Sequence, residues 1–191
     1  MDASEWDARY LRGEPPRPEG PVAVLRENAH LLPREGRVLE LACGLGANSL
    51  FLAERGLAVT AWDFSEVAIE RLRERAHERR LPVTAEVRDV VAAPPPPECA
   101  EVIVVSRFLE RSLAPHLIAA LSPGGLLFYQ TFVREAVSAT RGPRNPAHRL
   151  GPNELLRLFG PLHLLFYREE GMVGDVEKGF RDEAMLVGQK R

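Results

Sequence analysis

Cysteine is scarce: Cys43 and Cys99 are the only two in a chain of 191 residues. Two thiols cannot build a disulfide framework, so stability has to come from a hydrophobic core. Lysine is scarcer still for its type, with Lys178 and Lys190 standing alone, and arginine carries the basic charge. The formal net charge of -2 gives little electrostatic pull toward nucleic acid or anionic membrane. No apolar run approaches the ~20 residues that cross a bilayer, and the charged stretch Met1 to Arg12 does not read as a secretory leader. A cytoplasmic location is therefore the expectation. His30, His77, His116 and His163 are scattered along the chain, which predicts no metal centre. A Gly-x-Ser-x-Gly nucleophile elbow is also missing.

What remains is an ordinary globular composition, 45% hydrophobic and 27% charged, of a size that suits one domain with a full core. Its organising stretch runs from Arg37 to Asp63. Val38, Leu39, Leu41 and Ala42 form a short apolar run ending at Gly44 and Gly46, as a buried parallel strand entering a tight turn does. Ala47 to Arg55 has helical character with Gly56 as its stop, and a second strand from Leu57 to Trp62 ends in Asp63. Strand, glycine turn, helix, strand and terminal acid make a nucleoside-binding half-unit. An acid about 20 residues past the turn is placed to accept from both ribose hydroxyls.

The nucleoside is not a typical dinucleotide. Ser49 stands where a third glycine is expected, and Glu40 adds a carboxylate near the turn. Two acids repel a pyrophosphate and suit a cationic ligand; S-adenosylmethionine, with a sulfonium and an amino group, fits. Glu40 has a second reading, a strand-end carboxylate bonded to loop donors. Glu40-Leu41-Ala42-Cys43-Gly44-Leu45-Gly46 resembles the first motif of class I S-adenosylmethionine-dependent methyltransferases, and Ala61-Trp62-Asp63-Phe64-Ser65 resembles the second. The likeness is greatest to small tellurite-resistance and thiopurine-like methyltransferases. It implies a single doubly wound, seven-stranded, Rossmann-like α/β domain over residues 1–191, with an antiparallel edge hairpin and residues 1–33 as an N-terminal cap. It also implies a donor site built from Tyr10, Glu40, Ala42, Cys43, Gly44, Gly46, Asp63, Phe64, Asp89, Val90 and Ser106.

The rest of the chain can be read around that unit. Trp6 and Tyr10, four apart, share a helical face near the N-terminus. The family resemblance puts Tyr10 or Arg9 by the methionine carboxylate; an aromatic anchor for a terminal helix is the alternative. Leu11 to Pro21, rich in proline and glycine, predicts a loop over the site, and Val22 to Leu32 a helix. Ser65 reads as an N-cap for a helix with an apolar stripe of Val67, Ala68, Leu72 and Ala76. A third strand, Pro82 to Val87, leads to Asp89 and Val90. The resemblance gives Asp89 the adenine amino group and Val90 the ring, while a surface turn is the other role for the aspartate. Pro94 to Pro97 form a rigid connector. The fourth strand, Ala100 to Val105, delivers Ser106 and Arg107 to the carboxyl end of the sheet, where ligands of open parallel sheets bind. Ser106-Arg107-Phe108-Leu109 lacks the Asn/Asp-Pro-Pro-aromatic signature of nucleic-acid and protein-amide methyltransferases. Without a paired Pro-Cys motif, Cys43 reads as packing.

Leu113 to Leu121 predicts a helix, Leu126 to Phe132 a fifth strand, and Asn153 a cap for a helix reaching Phe159. Leu162 to Tyr167 and Ala184 to Gln189 read as the last two strands. Between them and the fifth strand lies an irregular stretch, Val133 to Gly151, whose arginines suit an anionic substrate and whose His148 is a candidate general base. His148 and Arg107 are the candidate catalytic residues, and a solvated loop is the plain alternative for this stretch. The expected activity is methyl transfer to a small-molecule nucleophile, such as a thiol or a metalloid oxyanion, by a monomer or homodimer. A nicotinamide-dependent oxidoreductase, a non-catalytic S-adenosylmethionine-binding protein and an RNA methyltransferase are the alternatives.

Overall fold

The computed structural model describes residues 3–13 and 20–191. Seven strands form one sheet in the order β3-β2-β1-β4-β5-β7-β6: β1 Arg37–Leu41, β2 Ala58–Asp63, β3 Val83–Val87, β4 Ala100–Ser106, β5 Leu121–Phe132, β6 His163–Arg168 and β7 Glu183–Gln189. The first five run parallel. β7 is antiparallel to both β5 and β6, which is the edge hairpin anticipated from the resemblance. Strand order reverses between β1 and β4, so a crevice opens beyond the carboxyl ends of these two strands.

Period-two alternation along the central strands builds two cores, one on each face. Val38 pairs with Val102 and Leu39 with Ile103. Val38, Val102, Val104 and Phe128 face one side, with Val24, Leu25 and Leu52 from helices α2 (Ala23–Glu27) and α3 (Ala47–Ala53). Leu39, Ile103, Val105 and Leu127 face the other, with Leu117 and Leu155 from α5 (Ala114–Ala120) and α6 (Glu154–Leu158). Leu25, Leu52, Ile103, Leu127 and Phe128 are fully buried, each worth about 1.5–3 kcal/mol of transfer free energy. Separately, α1 (Ala3–Leu11) packs on α4 (Glu66–Arg79). Ser65 caps α4 by accepting from the Ala68 N–H at 3.2 Å, as its sequence position predicted.

Four local expectations change. The helix expected from Val22 to Leu32 breaks after Glu27 into a 3₁₀ turn at Ala29–Leu31. Asn28 sits at the break with φ -116°, and its amide donates to the Val24 carbonyl at 3.0 Å, competing with the helical ladder. The helix before the fifth strand starts at Ala114 rather than Leu113, with a 3₁₀ turn at Arg111–Leu113 ahead of it. β5 begins at Leu121, because Leu121 already pairs with Ala100 before a register shift across Pro123-Gly124-Gly125. Asn153 makes no side-chain cap; it adopts φ 56°, and Glu154 instead accepts from the Gly151 N–H at 2.6 Å. The proline connector packs no regular helix beside β3. There Arg88 stacks on the Trp62 ring at 3.8 Å, and the indole N–H donates to Glu86 at 3.1 Å.

Candidate functional site

The site is built at the carboxyl edge of the sheet, where a cleft of about 260 Å³ opens. Its floor is the corner after β1. Ala42 takes φ 51° although it has a Cβ, a left-handed conformation that costs roughly 1–2 kcal/mol. Gly44 and Gly46 follow at φ 52° and 73°. A Cβ on Gly44 would lie 2.9 Å from the Tyr10 hydroxyl, and one on Gly46 only 2.2 Å from Leu72 Cδ1. The glycines are therefore required by contact as well as by φ.

Asp63, at the tip of β2, faces this corner. One carboxylate oxygen accepts from the Gly44 N–H at 2.8 Å and the other from the Ser65 N–H at 3.0 Å. A carboxylate has about four lone-pair sites, so acceptor capacity remains, and the residue lines the cleft. Burial pushes its acidity toward higher pH, and the N–H bonds from Ser65, Gly44 and Phe64 oppose that. These contacts hold the carboxylate where a diol could share it. Cys43 is buried beside it, with its thiol pushed well up by burial and by the neighbouring carboxylates, so it is a packed residue rather than a nucleophile.

Glu40 is not in the cleft wall. It points to the same face of β1 as Val38, which is the face that α3 covers. There it is completely buried and accepts from Asn48 Nδ2 at 2.8 Å and from the Ser49 hydroxyl. Burial drives its pKa up to about 7 against the pull of those two bonds. The expected contact with a cationic ligand is thus corrected to the other reading, a satisfied carboxylate under the turn. Asn48, which sequence reading passed over, ties the parts together. Its amide also donates to the Ser106 hydroxyl at 3.1 Å, and its carbonyl accepts from the Val22 N–H at 2.9 Å. It joins β1, the tip of β4 and the start of α2. Only its place four residues after Gly44, on the inward face of a short helix, hinted at this.

The remaining walls come from three directions. Asp89 and Val90, past β3, line the cleft with Phe64. One Asp89 oxygen accepts from the Val91 and Ala92 N–H groups at 2.9 and 3.2 Å. Asp89 is therefore a turn residue with a second oxygen to spare. Ser106, Arg107 and Phe108 close the β4 side. Trp6 and Tyr10 of α1, with Gly20 and Pro21, close the top. Of the loop expected over the site, residues 14–19 lie outside the described residues. Tyr10 is buried and its ring lies 5.6 Å from that of Trp6; burial first, and Asp63 second, keep its hydroxyl protonated. Asp7 accepts from the Ser65 hydroxyl and from the Val67 N–H at 3.3 Å, fastening α1 to α4. Arg9 stacks over Trp6 at 4.7 Å. The anchoring and the lining roles of Tyr10 thus coincide.

The stretch 133–151 behaves differently from the expectation of a loop of anion-seeking arginines. Arg149 turns inward and spends its donors on the carbonyls of Val133, Pro143 and Arg141. Arg141 donates to Glu183 at 3.0 Å. His148 sits exposed in a 3₁₀ turn outside the cleft, near Glu110. It does not line the cleft, so the base role expected of it has no contact there.

Among the described residues no group of three or more His, Cys, Asp or Glu is arranged to hold a metal, and no helix is long and apolar enough to cross a membrane. Residues 38–125 match a methyltransferase domain family. A trans-aconitate 2-methyltransferase of Variovorax paradoxus is 31% identical over 62% of this chain and 44% of its own length. The probable S-adenosyl-L-methionine-dependent methyltransferase TehB of Haemophilus influenzae is 36% identical over 43% of this chain and 29% of its own length. The matches thus span less than half of either relative. The crystal structure of TehB from Haemophilus influenzae shares the fold, with a TM-score of 0.74 at 23% identity, covering 97% of this chain and 67% of that one.

Proposed function

We propose, for a chain that belongs to the class I S-adenosylmethionine-dependent methyltransferases, that it transfers a methyl group from S-adenosylmethionine to a small-molecule nucleophile. The observation that carries this reading is Asp63: a carboxylate locked to the Gly44 N–H at 2.8 Å, with lone pairs left at a glycine-floored cleft. Such a group fits the donor, because it accepts from ribose hydroxyls and its charge favours a cation over a pyrophosphate. When bound, S-adenosylmethionine supplies a methyl carbon on sulfonium sulfur, which a nucleophile's electron pair captures while the carbon–sulfur pair stays on a neutral thioether.

The chain's own residues then have separable tasks. Asp63 would grip the ribose, and the spare oxygen of Asp89 would accept from the adenine amino group. Val90 and Phe64 would flank the ring. Tyr10 and Trp6, held by the Asp7 contacts, would exclude water from above, which supports reading residues 1–33 as a cap on a single domain. Alignment and desolvation are what such a displacement asks of a protein. With His148 outside the cleft, the reading favours a soft nucleophile, such as a thiol or a metalloid oxyanion, that needs little base catalysis. The nicotinamide alternative is set aside because the matched domain is a methyltransferase domain. Of the loop arginines on which the RNA alternative relied, Arg149 is committed to loop carbonyls and Arg141 to Glu183.

The test is product formation over a panel of thiols, metalloid oxyanions and amines with S-adenosylmethionine, followed by mass spectrometry. The reading expects S-adenosylhomocysteine to appear together with a methylated acceptor. Tight donor binding with silence across the panel would instead identify a non-catalytic binding protein.

A further inference from the structure

We propose that Arg107 is an anion-reading residue for the methyl acceptor, which is therefore a small molecule carrying a carboxylate or an oxyanion. The inference rests on the methyltransferase reading above and adds the charge of the second substrate. It starts from a backbone oddity. Arg107 follows β4 directly and takes φ 54°, as Ala42 does after β1. These two left-handed residues flank the point where strand order reverses. Strained conformations of this kind persist where surroundings enforce them, and they gather at functional sites. Here the Arg107 N–H donates to the Gln130 carbonyl at 2.8 Å, which fixes the turn.

The side chain is held without being used. Glu183 is buried at the start of β7, and one of its oxygens lies 3.7 Å from Arg107 Nε. That distance is an ion pair but not a hydrogen bond. Glu183 does not need Arg107 for its own satisfaction. Arg141 donates to the same oxygen at 3.0 Å, and Gln130 Nε2 donates to the other at 2.5 Å. Among the described residues none accepts a hydrogen bond from the Arg107 guanidinium, and its side chain, 43% exposed, lines the cleft. A planar fork of five donors, oriented by a neighbouring carboxylate and left unspent at a cleft wall, is suited to bidentate capture of a carboxylate or an oxyanion.

Topology favours the acceptor over the donor's own carboxylate as that anion. The ribose and adenine candidates, Asp63, Asp89 and Val90, lie at the tips of β2 and β3. Arg107, Gln130 and Glu183 lie over β4, β5 and β7, across the switch point. Phe108, next in the chain, also lines the cleft and offers an apolar surface for the body of such a molecule.

The test is calorimetric titration of the S-adenosylhomocysteine-loaded protein with matched pairs: benzoate against benzamide, and 3-mercaptopropionate against its methyl ester, with selenite as an inorganic oxyanion. Arg107→Asn removes the cation while keeping a residue that tolerates positive φ. The proposal expects at least one of the anions to bind better than its neutral counterpart. It expects that preference to fall tenfold or more in Arg107→Asn, with affinity for S-adenosylhomocysteine changed by less than twofold. Equal binding of acids and neutral partners, no binding of any anion, or an unchanged preference in the variant would overturn it. A variant that loses S-adenosylhomocysteine itself would assign Arg107 to the donor's carboxylate, which also overturns it. Failure of the native protein to bind S-adenosylhomocysteine at all would instead remove the methyltransferase reading on which the proposal stands.

Discussion

The two halves of the sheet's carboxyl edge are held in different ways. Over β1, β2 and β3, the site is made by backbone: a glycine corner, N–H groups bound to Asp63, and a turn closed by Asp89. Over β4, β5 and β7, it is made by side chains reaching across long stretches of sequence. Gln130 meets Glu183, Arg141 meets the same acid, and Gln130 takes the Val24 N–H at 2.8 Å. Backbone-built sites are fixed by local sequence and suit a ligand common to many proteins. A site built from distant side chains can change its ligand without changing the fold. On the reading proposed above, the first half is the donor side and the second the acceptor side.

The sharpest way to break this contrast is at Gly46. Alanine there must hold φ near 73° and displace Leu72, which is fully buried and cannot swing away. Gly46→Ala is expected to cost about 3 kcal/mol or more of stability, read as a lowered denaturation midpoint. Little change would show that the corner relaxes and that its backbone is not the scaffold of the donor side.

Glu40 gives the next effect, and it is pH-dependent. Its folded pKa of about 7 stands above the ordinary 4.5. For a raised acid, the fold prefers the protonated form, so that contribution is complete below about 4.5 and is lost as pH climbs to about 7. At about 1.4 kcal/mol per unit, the loss is on the order of 3 kcal/mol. Glu40→Gln should gain stability relative to the native chain over that window, measured by denaturant titration at several pH values. A constant difference across the window would contradict the burial argument.

On the donor side, Asp63→Ala is expected to weaken S-adenosylhomocysteine binding by about 1–3 kcal/mol, the loss of a charged acceptor. Equal affinity in a folded variant would detach the ribose from this residue. The smallest effect belongs to the exposed His148. His148→Ala should leave stability within about 0.5 kcal/mol and methyl transfer unchanged, whereas a large drop in turnover would restore a base to the acceptor side.

The same contrast explains what could be read in advance. The glycine corner, Asp63, the cap at Ser65 and the strands themselves each leave a short-range trace, in periodicity, in turn chemistry or in spacing, whereas the antiparallel hairpin is legible only through the family resemblance. Sequence places Glu40 in the right strand but leaves both of its readings open, because alternation alone does not say which face α3 covers. Asn48 left almost no trace, since its partners are 8, 26 and 58 positions away. The arginines of 133–151 looked alike in sequence. Only the fold separates Arg149, turned onto its own loop's carbonyls, from Arg141, which crosses 42 residues to Glu183. Arg107 stands out in the sequence by its place after a strand, but its unspent donors depend on Arg141 and Gln130 satisfying Glu183 first.

Isothermal titration of the native chain with S-adenosylhomocysteine bears most directly on the central claim. Saturable one-to-one binding that Asp63→Ala weakens is the predicted result. An absence of heat, with the ligand recovered unbound in equilibrium dialysis, would contradict it.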